Sequence, residues 1–324
     1  MAQVIVIHEF GGPETLKLQE ANLGDPGPGE IKMRQVAIGV NFADISVREG
    51  RFPSKLPITP GSEAAGTVIS VGTGVETLKP GDRVAYGASA SGGYASEQIV
   101  PAAIVAKLRD EIELETAAGM MSAGLTAGYL IRRMWPLKKG DAILFTAAAG
   151  GVGQIAVQWA KAVGLTVIGT VGSAEKATTA KEAGCDHVII HSAEDLAVRV
   201  REITGGEGVA AAFDSVGADT LEGSLKSVRK RGLLVSFGAA SGPPPAISLI
   251  DLAMNGSLFL SRPTVYDYVA DPAERASLTE ELMDLVIARK IRINVNHRYP
   301  LADAAKAHSE MAGRRTTGAL VLTA

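Results

Sequence analysis

The chain contains very little cysteine, with one residue, Cys185, among 324. A single thiol cannot form a disulfide within the chain and cannot supply a zinc site that needs several cysteines. The 5 histidines also lack the spacing of a metal site; they are His8, His187, His191, His297 and His308. Disulfide scaffolds and cysteine-rich zinc modules are therefore excluded.

Charge excess and long apolar segments are lacking too. The net charge of −3 leaves no basic excess for a nucleic-acid backbone, which argues against a dedicated nucleic-acid-binding protein. The N-terminus has no basic segment before an apolar run, so we predict no signal peptide. Residues 142–160 carry no charge, but their three glycines and two glutamines predict a strand, a turn and a helix rather than a membrane span. We expect a cytoplasmic protein.

The composition that remains is that of an ordinary globular protein. Hydrophobic residues make up 46% of the chain and charged residues 21%, which excludes disorder for most of it. The length suggests about two domains. The first third consists of short β-branched runs broken by Gly and Pro, which predicts a mostly antiparallel barrel or sandwich. Examples are Val4–Ile7, Ile31–Val40, Gly66–Val71, Arg83–Tyr86 and Gln98–Val100.

After a helical stretch at Glu111–Ile131, predicted strands and helices alternate regularly. This alternation predicts a parallel, doubly wound α/β sheet. The predicted strands are Ala142–Thr146, Thr166–Val171, His187–Ile190, Val209–Phe213, Leu233–Phe237 and Ser257–Leu260. The predicted helices between them are Val152–Val163, Ala174–Ala183, Glu194–Ile203 and Thr220–Val228. Two more helices, Ala276–Ala288 and Leu301–Met311, precede a last strand, Ala319–Leu322, which we expect to return to the N-terminal domain.

A glycine motif follows the first strand of this alternating region. Its pattern is A-x-G-x-x-G, with Ala148, Gly150 and Gly153 at the key positions and Gly151 and Val152 between them. The second position lets a pyrophosphate approach the backbone, the third lets helix and strand pack closely, and the helix N-terminus favours an anion. The strand, turn and helix context predicts a dinucleotide site.

The end of the second strand indicates which dinucleotide is preferred. NAD sites place an acidic residue there, but this chain has Gly172, followed by Ser173 and Lys176. Loss of the carboxylate and gain of a cation both favour a 2′-phosphate, and thus NADPH. Glu175 would disfavour NADPH if its side chain pointed towards the cofactor, because its carboxylate would repel the 2′-phosphate.

Several longer motifs occur together along nearly the whole chain. They are Gly39–Asp44, Pro60–Gly66, Lys79–Val84, Ala147–Gly153, Asp214–Gly217 and Gly232–Gly238. In these the chain resembles the medium-chain dehydrogenase/reductase superfamily, specifically its zinc-free quinone oxidoreductases related to zeta-crystallin. The resemblance implies a GroES-like β-barrel domain at residues 1–123 and 263–324, with a Rossmann domain at 124–262 between the two segments.

The resemblance also implies a metal-free site and a set of NADPH contacts. Zinc enzymes of the superfamily carry histidine where this chain has Ser62, so a zinc site is not expected. Asn41 and Thr126 would face the nicotinamide, with Phe237, Gly238 and Ser241 lining its side. Ala148, Gly150, Gly151, Val152 and Gly153 would hold the pyrophosphate. Ser173, Lys176 and Arg314 would hold the 2′-phosphate, and His191 would contact the adenosine phosphate or simply end a strand.

Two positions depart from the family. Relatives carry tyrosines near the substrate where this chain has Ser46 and Phe52, so the substrate preference can differ. Asp44 and Arg48 suit a structural ion pair and a substrate pocket equally well.

The resulting prediction is NADPH-dependent, metal-independent reduction of quinones, with the nicotinamide held against a flat substrate and with no catalytic side chain assigned. The alternatives are reduction of enoyl or alkenal double bonds and a non-catalytic nucleotide-binding or RNA-binding role. The apolar edge strand Ser257–Leu260 predicts a homodimer, as does the resemblance, because the family is commonly dimeric through this edge.

Overall fold

The structure is a computed structural model that describes residues 1–52, 54–88 and 91–324. Its strands are β1 Ala2–Val6, β2 Lys17–Ala21, β3 Glu30–Gly39, β4 Ala64–Val71, β5 Arg83–Tyr86, β6 Glu97–Pro101, β7 Val105–Lys107, β8 Ala142–Phe145, β9 Thr166–Val171, β10 His187–Ile190, β11 Val209–Asp214, β12 Val228–Ser236, β13 Phe259–Ser261, β14 Val295–Pro300 and β15 Ala319–Thr323.

The α-helices are α1 Phe42–Arg48, α2 Leu114–Arg132, α3 Gly151–Ala162, α4 Ala174–Glu182, α5 Leu196–Ile203, α6 Leu221–Ser227, α7 Leu249–Met254, α8 Val265–Tyr268, α9 Pro272–Ile287 and α10 Ala304–Ala312. Short 3₁₀ turns lie at Pro13–Thr15, Ala102–Ile104 and Leu301–Asp303. None of the helices in the described ranges has the length and apolar character needed to cross a bilayer.

The chain divides into two compact units. The first contains Met1–Leu125, Tyr268–Arg289 and Ile293–Ala324, and the second contains Thr126–Asp267 and Lys290–Arg292. The second unit is therefore inserted into the sequence of the first.

The first unit is built on a mainly antiparallel sheet with the strand order β14-β15-β3-β4-β5-β7, and β6 also pairs with β3. The last strand, β15, lies antiparallel to β3, with Leu322 opposite Ile38. This pairing confirms that the C-terminus returns to the N-terminal sheet. Alternate residues of the long strand β3, such as Ile31 and Met33, are fully buried and form the core with Val84.

The second unit is a parallel sheet of six strands in the order β10-β9-β8-β11-β12-β13. The strand order reverses between β8 and β11, which is where open α/β sheets bind ligands. The apolar strand residues Leu144, Ile168, Ala212 and Leu234 are completely buried, as expected for a sheet covered on both faces. The doubly wound α/β class is confirmed.

Some elements differ from the sequence prediction. The strand predicted at Leu233–Phe237 begins at Val228, and its pairing with β11 shifts register between Val209 and Ala211. The edge strand predicted at Ser257–Leu260 is Phe259–Ser261, and it does lie at the edge of the sheet. The prediction missed several elements entirely, namely β2, α1, β7, α7, α8 and β14.

Candidate cofactor site and buried polar network

The predicted glycine motif forms the turn from β8 into α3. Gly150 is the N-cap of α3, and its backbone N–H donates to the Ala147 carbonyl (2.9 Å). Ala147 has a left-handed φ of 51°. A Cβ on Gly153 would collide with the Ala147 carbonyl oxygen and contact the Ala148 backbone, so only glycine fits. The turn leaves the first N–H groups of α3 at the carboxyl end of the central strand, which is an arrangement suited to a pyrophosphate.

The turns after β9 and β10 come together beside the glycine turn. The Ala148 N–H donates to the Thr170 carbonyl (3.0 Å), and Ser192 Oγ donates to the Gly172 carbonyl (3.0 Å). A Cβ on Gly172 would lie 3.7 Å from the His191 ring, in ordinary contact. Ser173 and Lys176, both partly exposed, open helix α4 immediately afterwards. The structure thus gathers Gly172, Ser173, Lys176 and His191 at one strand end.

A buried carboxylate organises the loop after β11. Asp214 is fully buried and accepts the Val216 and Gly217 N–H groups (3.0 and 2.9 Å). It also accepts the hydroxyls of Thr220 and Ser224, both at 2.6 Å. Four donors fix the turn of this loop. The family motif marked the position of Asp214, but the number of its partners is visible only in the fold.

The neighbouring loop after β12 packs on that turn. A Cβ on Gly238 would collide with the Ser215 carbonyl oxygen, and Ser241 Oγ donates to the Val216 carbonyl (2.8 Å). The Phe237 ring lies 5.6 Å from the Phe145 ring. Arg262, which the sequence analysis missed, donates through one nitrogen to the Ser236 and Gly238 carbonyls (3.0 and 2.9 Å). Phe237, Gly238 and Ser241 therefore belong to one braced loop.

The first unit holds a separate network around Asn41. The Asn41 side-chain nitrogen donates to Glu63 Oε1 (2.8 Å), and the Ser122 N–H donates to Glu63 Oε2 (2.6 Å). The Asn41 backbone N–H donates to Asp44 Oδ2 (2.8 Å). Burial raises the pKa of Glu63 to about 8, against the lowering effect of the Ser122 and Asn41 hydrogen bonds.

A chain of buried groups continues from Asp44. The Tyr94 hydroxyl donates to Asp44 Oδ2 (3.1 Å) and lies 2.8 Å from His308 Nε2, and an Arg48 nitrogen lies 3.3 Å from His308 Nδ1. Because a guanidinium only donates, Nδ1 accepts and the His308 proton lies on Nε2, facing Tyr94. Burial raises the pKa of Asp44 to about 7. Asp44 and Arg48 are each 2% exposed and are joined through Tyr94 and His308, which favours a structural role. The ion pair of Arg48 is with Glu49 (2.7 Å) rather than with Asp44.

The protonation of His308 gives a prediction for stability. Burial, with a smaller contribution from Arg48, lowers the pKa of His308 to about 3 in the folded protein. The unfolded chain takes up this proton near pH 6.5, so the contribution of neutral His308 to stability is lost as pH falls from 6.5 towards 3. The wild type should have a larger free energy of unfolding than His308→Gln at pH 6. This difference should shrink by about 1.4 kcal/mol per pH unit between pH 6 and 4.

Urea unfolding of both proteins at several pH values measures this difference in free energy of unfolding. Tyr94→Phe retains the imidazole and should keep the pH slope of the wild type. Parallel stability curves for wild type and His308→Gln would show that His308 does not cause the slope.

The remaining predicted residues lie on separate elements of the two units. Thr126 is half-buried in α2, and Arg314 follows α10 with a left-handed φ of 57°. Ser46 donates to the Phe42 carbonyl (3.3 Å), and Phe52 is 51% exposed. Over the described part of the chain, His, Cys, Asp and Glu side chains form no group of three that could hold a metal ion.

Comparisons with known proteins agree with this architecture. The alcohol dehydrogenase GroES-like domain matches residues 27–110, and the zinc-binding dehydrogenase family matches residues 151–285. The quinone oxidoreductase of Pseudomonas aeruginosa is 46% identical over 99% of both chains, and the 2-haloacrylate reductase of a Burkholderia species is 42% identical, also over 99% of both. The crystal structure of Escherichia coli quinone oxidoreductase complexed with NADPH matches with a TM-score of 0.97 and 43% identity, covering 99% of this chain and 100% of that chain.

The paired GroES-like and nucleotide-binding folds define a dehydrogenase of the medium-chain dehydrogenase/reductase class. Within that class, the chain belongs to the quinone oxidoreductase family.

Proposed function

We propose that the protein catalyses NADPH-dependent reduction of quinones. The observation that carries this proposal is the glycine turn at the point where the sheet order reverses, next to strand β9, which is followed by Gly172 rather than by an acid. Full-length relatives named quinone oxidoreductases, one of them solved with NADPH, support it.

The residues present suit NADPH. The N–H groups at the start of α3 would receive the pyrophosphate, because the glycines leave the backbone open to approach. Ser173 and Lys176 would bind the 2′-phosphate through a hydroxyl and a positive charge, with Arg314 as a third partner. Asn41, Thr126, Phe237, Gly238 and Ser241 would contact the nicotinamide end. When bound, NADPH supplies a hydride.

The protein's own contribution is positioning. The loops fixed by Asp214 and Arg262 hold the nicotinamide side still, and a rigid site lowers the entropic cost of bringing two flat molecules together. We propose that the reaction needs no metal, because Ser62 stands where zinc relatives carry a histidine ligand. Quinones accept a hydride readily, and solvent can protonate the product.

Reduction of an activated carbon–carbon double bond is the second candidate. The 42% identical 2-haloacrylate reductase supports it, as does the exposed Phe52 at a position where tyrosine is expected.

Initial rates of NADPH and NADH oxidation test the function, with 1,4-benzoquinone and 2-chloroacrylate as acceptors and a metal chelator present. We expect chelator-resistant turnover of benzoquinone, with NADPH preferred at least tenfold over NADH. Turnover of 2-chloroacrylate alone would replace the first candidate by the second. Binding of NADPH without turnover of either acceptor would contradict both.

We also propose that the protein forms a homodimer through the β13 edge. Leu249 and Met254 on α7 are 85% and 80% exposed, and Phe259 on β13 is 54% exposed. Helix α7 precedes β13 in the chain, and exposed apolar side chains together with the edge of a sheet are a surface that a second copy can cover. Light scattering should give twice the chain mass of 33.5 kDa.

Two lysine substitutions of equally exposed residues test the location of this interface. Phe259→Lys should give monomers, whereas Val198→Lys on α5, where the valine is 52% exposed, should leave the dimer intact. A monomeric wild-type protein at micromolar concentration would contradict the dimer, and a dimer that tolerates Phe259→Lys would place its interface elsewhere.

A further inference from the structure

Arg262 is anchored to the loop after β12 through only one of its nitrogens. The Nη1 atom lies within hydrogen-bond distance of the Ser236 carbonyl (3.0 Å), the Ser236 hydroxyl (2.9 Å) and the Gly238 carbonyl (2.9 Å). A guanidinium carries five N–H groups and no acceptor. The anchor therefore leaves the N–H groups on Nε and Nη2 unused.

The positive charge of this guanidinium is not neutralised by the protein. Arg262 is exposed, and among the residues that the structure describes no Asp or Glu lies within ion-pair distance of it and none accepts a hydrogen bond from Nε or Nη2. Arg229, at the other end of β12, differs because it pairs with Asp141 (3.0 Å). Arg262 thus offers a fixed charge with a free edge, which suits an anion.

The position of Arg262 is at the edge of the sheet that open α/β sheets use to bind ligands. Strands β12 and β13 are parallel, with Val235 opposite Ser261, so Arg262 follows the carboxyl end of β13. The sheet continues from β8 through β11 and β12 to β13, which places Arg262 about 14 Å across the sheet from the strand that carries the glycine turn. The loop assigned to the nicotinamide follows β12 and lies one strand nearer to that turn.

We propose that Arg262 is a substrate-binding residue whose free guanidinium edge binds an anionic group of the hydride acceptor, such as a carboxylate. This inference rests on the proposed function, because it takes the loop after β12 as the place of the nicotinamide. A group bound by Arg262 lies on the far side of that loop from the pyrophosphate, where the acceptor is expected. The acceptor class is therefore a quinone or enone that carries an anionic substituent.

The free edge also has the geometry for this role. The Nε and Nη2 N–H groups of a guanidinium are parallel and bind the two oxygens of a carboxylate or sulfonate together. Two parallel hydrogen bonds fix the orientation of a flat acceptor as well as its position. The bonds of Nη1 to the loop hold this edge in place beside the site.

Anchoring the loop and binding an anion are separable roles, because a loosened loop would affect every acceptor equally. Rates with saturating NADPH therefore compare 1,4-naphthoquinone with its anionic derivative 1,4-naphthoquinone-2-sulfonate in the full-length protein. The variants are Arg262→Gln and, as the matched control, Arg229→Gln, which removes the same charge from the opposite end of β12. Calorimetry gives the Kd for NADPH and, with the protein saturated with NADP⁺, the Kd for naphthalene-2-sulfonate, which cannot be reduced.

We expect Arg262→Gln to lower the ratio of kcat/KM for the sulfonated quinone to that for the neutral quinone by about tenfold or more. Binding of naphthalene-2-sulfonate should weaken by about the same factor, while the Kd for NADPH stays within about threefold of the wild type. Arg229→Gln should match the wild type in all three. Equal losses for both quinones, or a ratio like that of Arg229→Gln, would overturn the inference.

A second variant covers the case in which Arg262→Gln does not fold. Arg262→Lys keeps the charge and can still donate to the loop carbonyls, but its ammonium has no second, parallel edge for the anion. The ratio for the two quinones should therefore fall about threefold, and an unchanged ratio would overturn the inference. A wild type that reduces neither quinone would contradict the proposed function alone, because the binding of naphthalene-2-sulfonate tests Arg262 without turnover.

Discussion

Gly153→Ala is expected to destroy NADPH binding and to destabilise the protein at the same time. The added methyl group would collide with the Ala147 carbonyl oxygen and press on the Ala148 backbone, and neither can move away like a flexible side chain. Overpacking of this kind costs about 1–3 kcal/mol. Because the same turn directs the N–H groups of α3, its displacement should also raise the Kd for NADPH at least a hundredfold.

Gly150→Ala in the same turn separates the two effects. A Cβ there would lie 3.2 Å from the Ala147 carbonyl oxygen, a tight but tolerable contact, and the φ of −79° suits alanine. We therefore expect weaker NADPH binding, because the methyl group occupies the approach of the pyrophosphate, but less than about 1 kcal/mol of destabilisation. Thermal unfolding without cofactor and calorimetric titration measure both quantities. A Gly153→Ala protein as stable as Gly150→Ala would contradict the collision.

Local patterns in the sequence were sufficient to predict most strands of the second unit. The bounds of β9 and β10 agree with the prediction because each is a short apolar run between helical segments, and parallel strands buried on both faces require such runs. The start of β12 escaped prediction because Arg229, Lys230 and Arg231 are charged, and the register shift that accommodates them depends on the neighbouring strand.

The candidate site also contains some residues that local sequence predicts and others that depend on distant parts of the chain. The glycine turn is a local structure, so its residues could be predicted from their spacing and from the strand and helix around them. Helix α1 could not, because it has only seven residues and its first turn depends on Asp44. The contact of Asp44 with Tyr94 and that of Tyr94 with His308 join positions that are 50 and 214 residues apart along the chain, and no sequence window contains them.

Gly172→Asp is expected to reverse the coenzyme preference from NADPH towards NADH. The position suits a side chain, because a Cβ would lie 3.7 Å from the His191 ring and Gly172 does not have a left-handed φ. An aspartate at the end of the second strand can bind the ribose 2′-hydroxyl of NADH. The same carboxylate would repel the 2′-phosphate of NADPH by about 1–4 kcal/mol at a separation of 4 Å, depending on exposure to water.

Gly172→Asn separates the charge from the added bulk. It has nearly the same shape as aspartate but no charge, so it should keep most of the preference for NADPH, while the aspartate variant loses at least tenfold in the ratio of kcat/KM for NADPH to that for NADH. Steady-state rates with saturating benzoquinone give this ratio. Equal ratios for the two variants would mean that bulk, not charge, acts at this strand end, and would move the 2′-phosphate away from Gly172, Ser173 and Lys176.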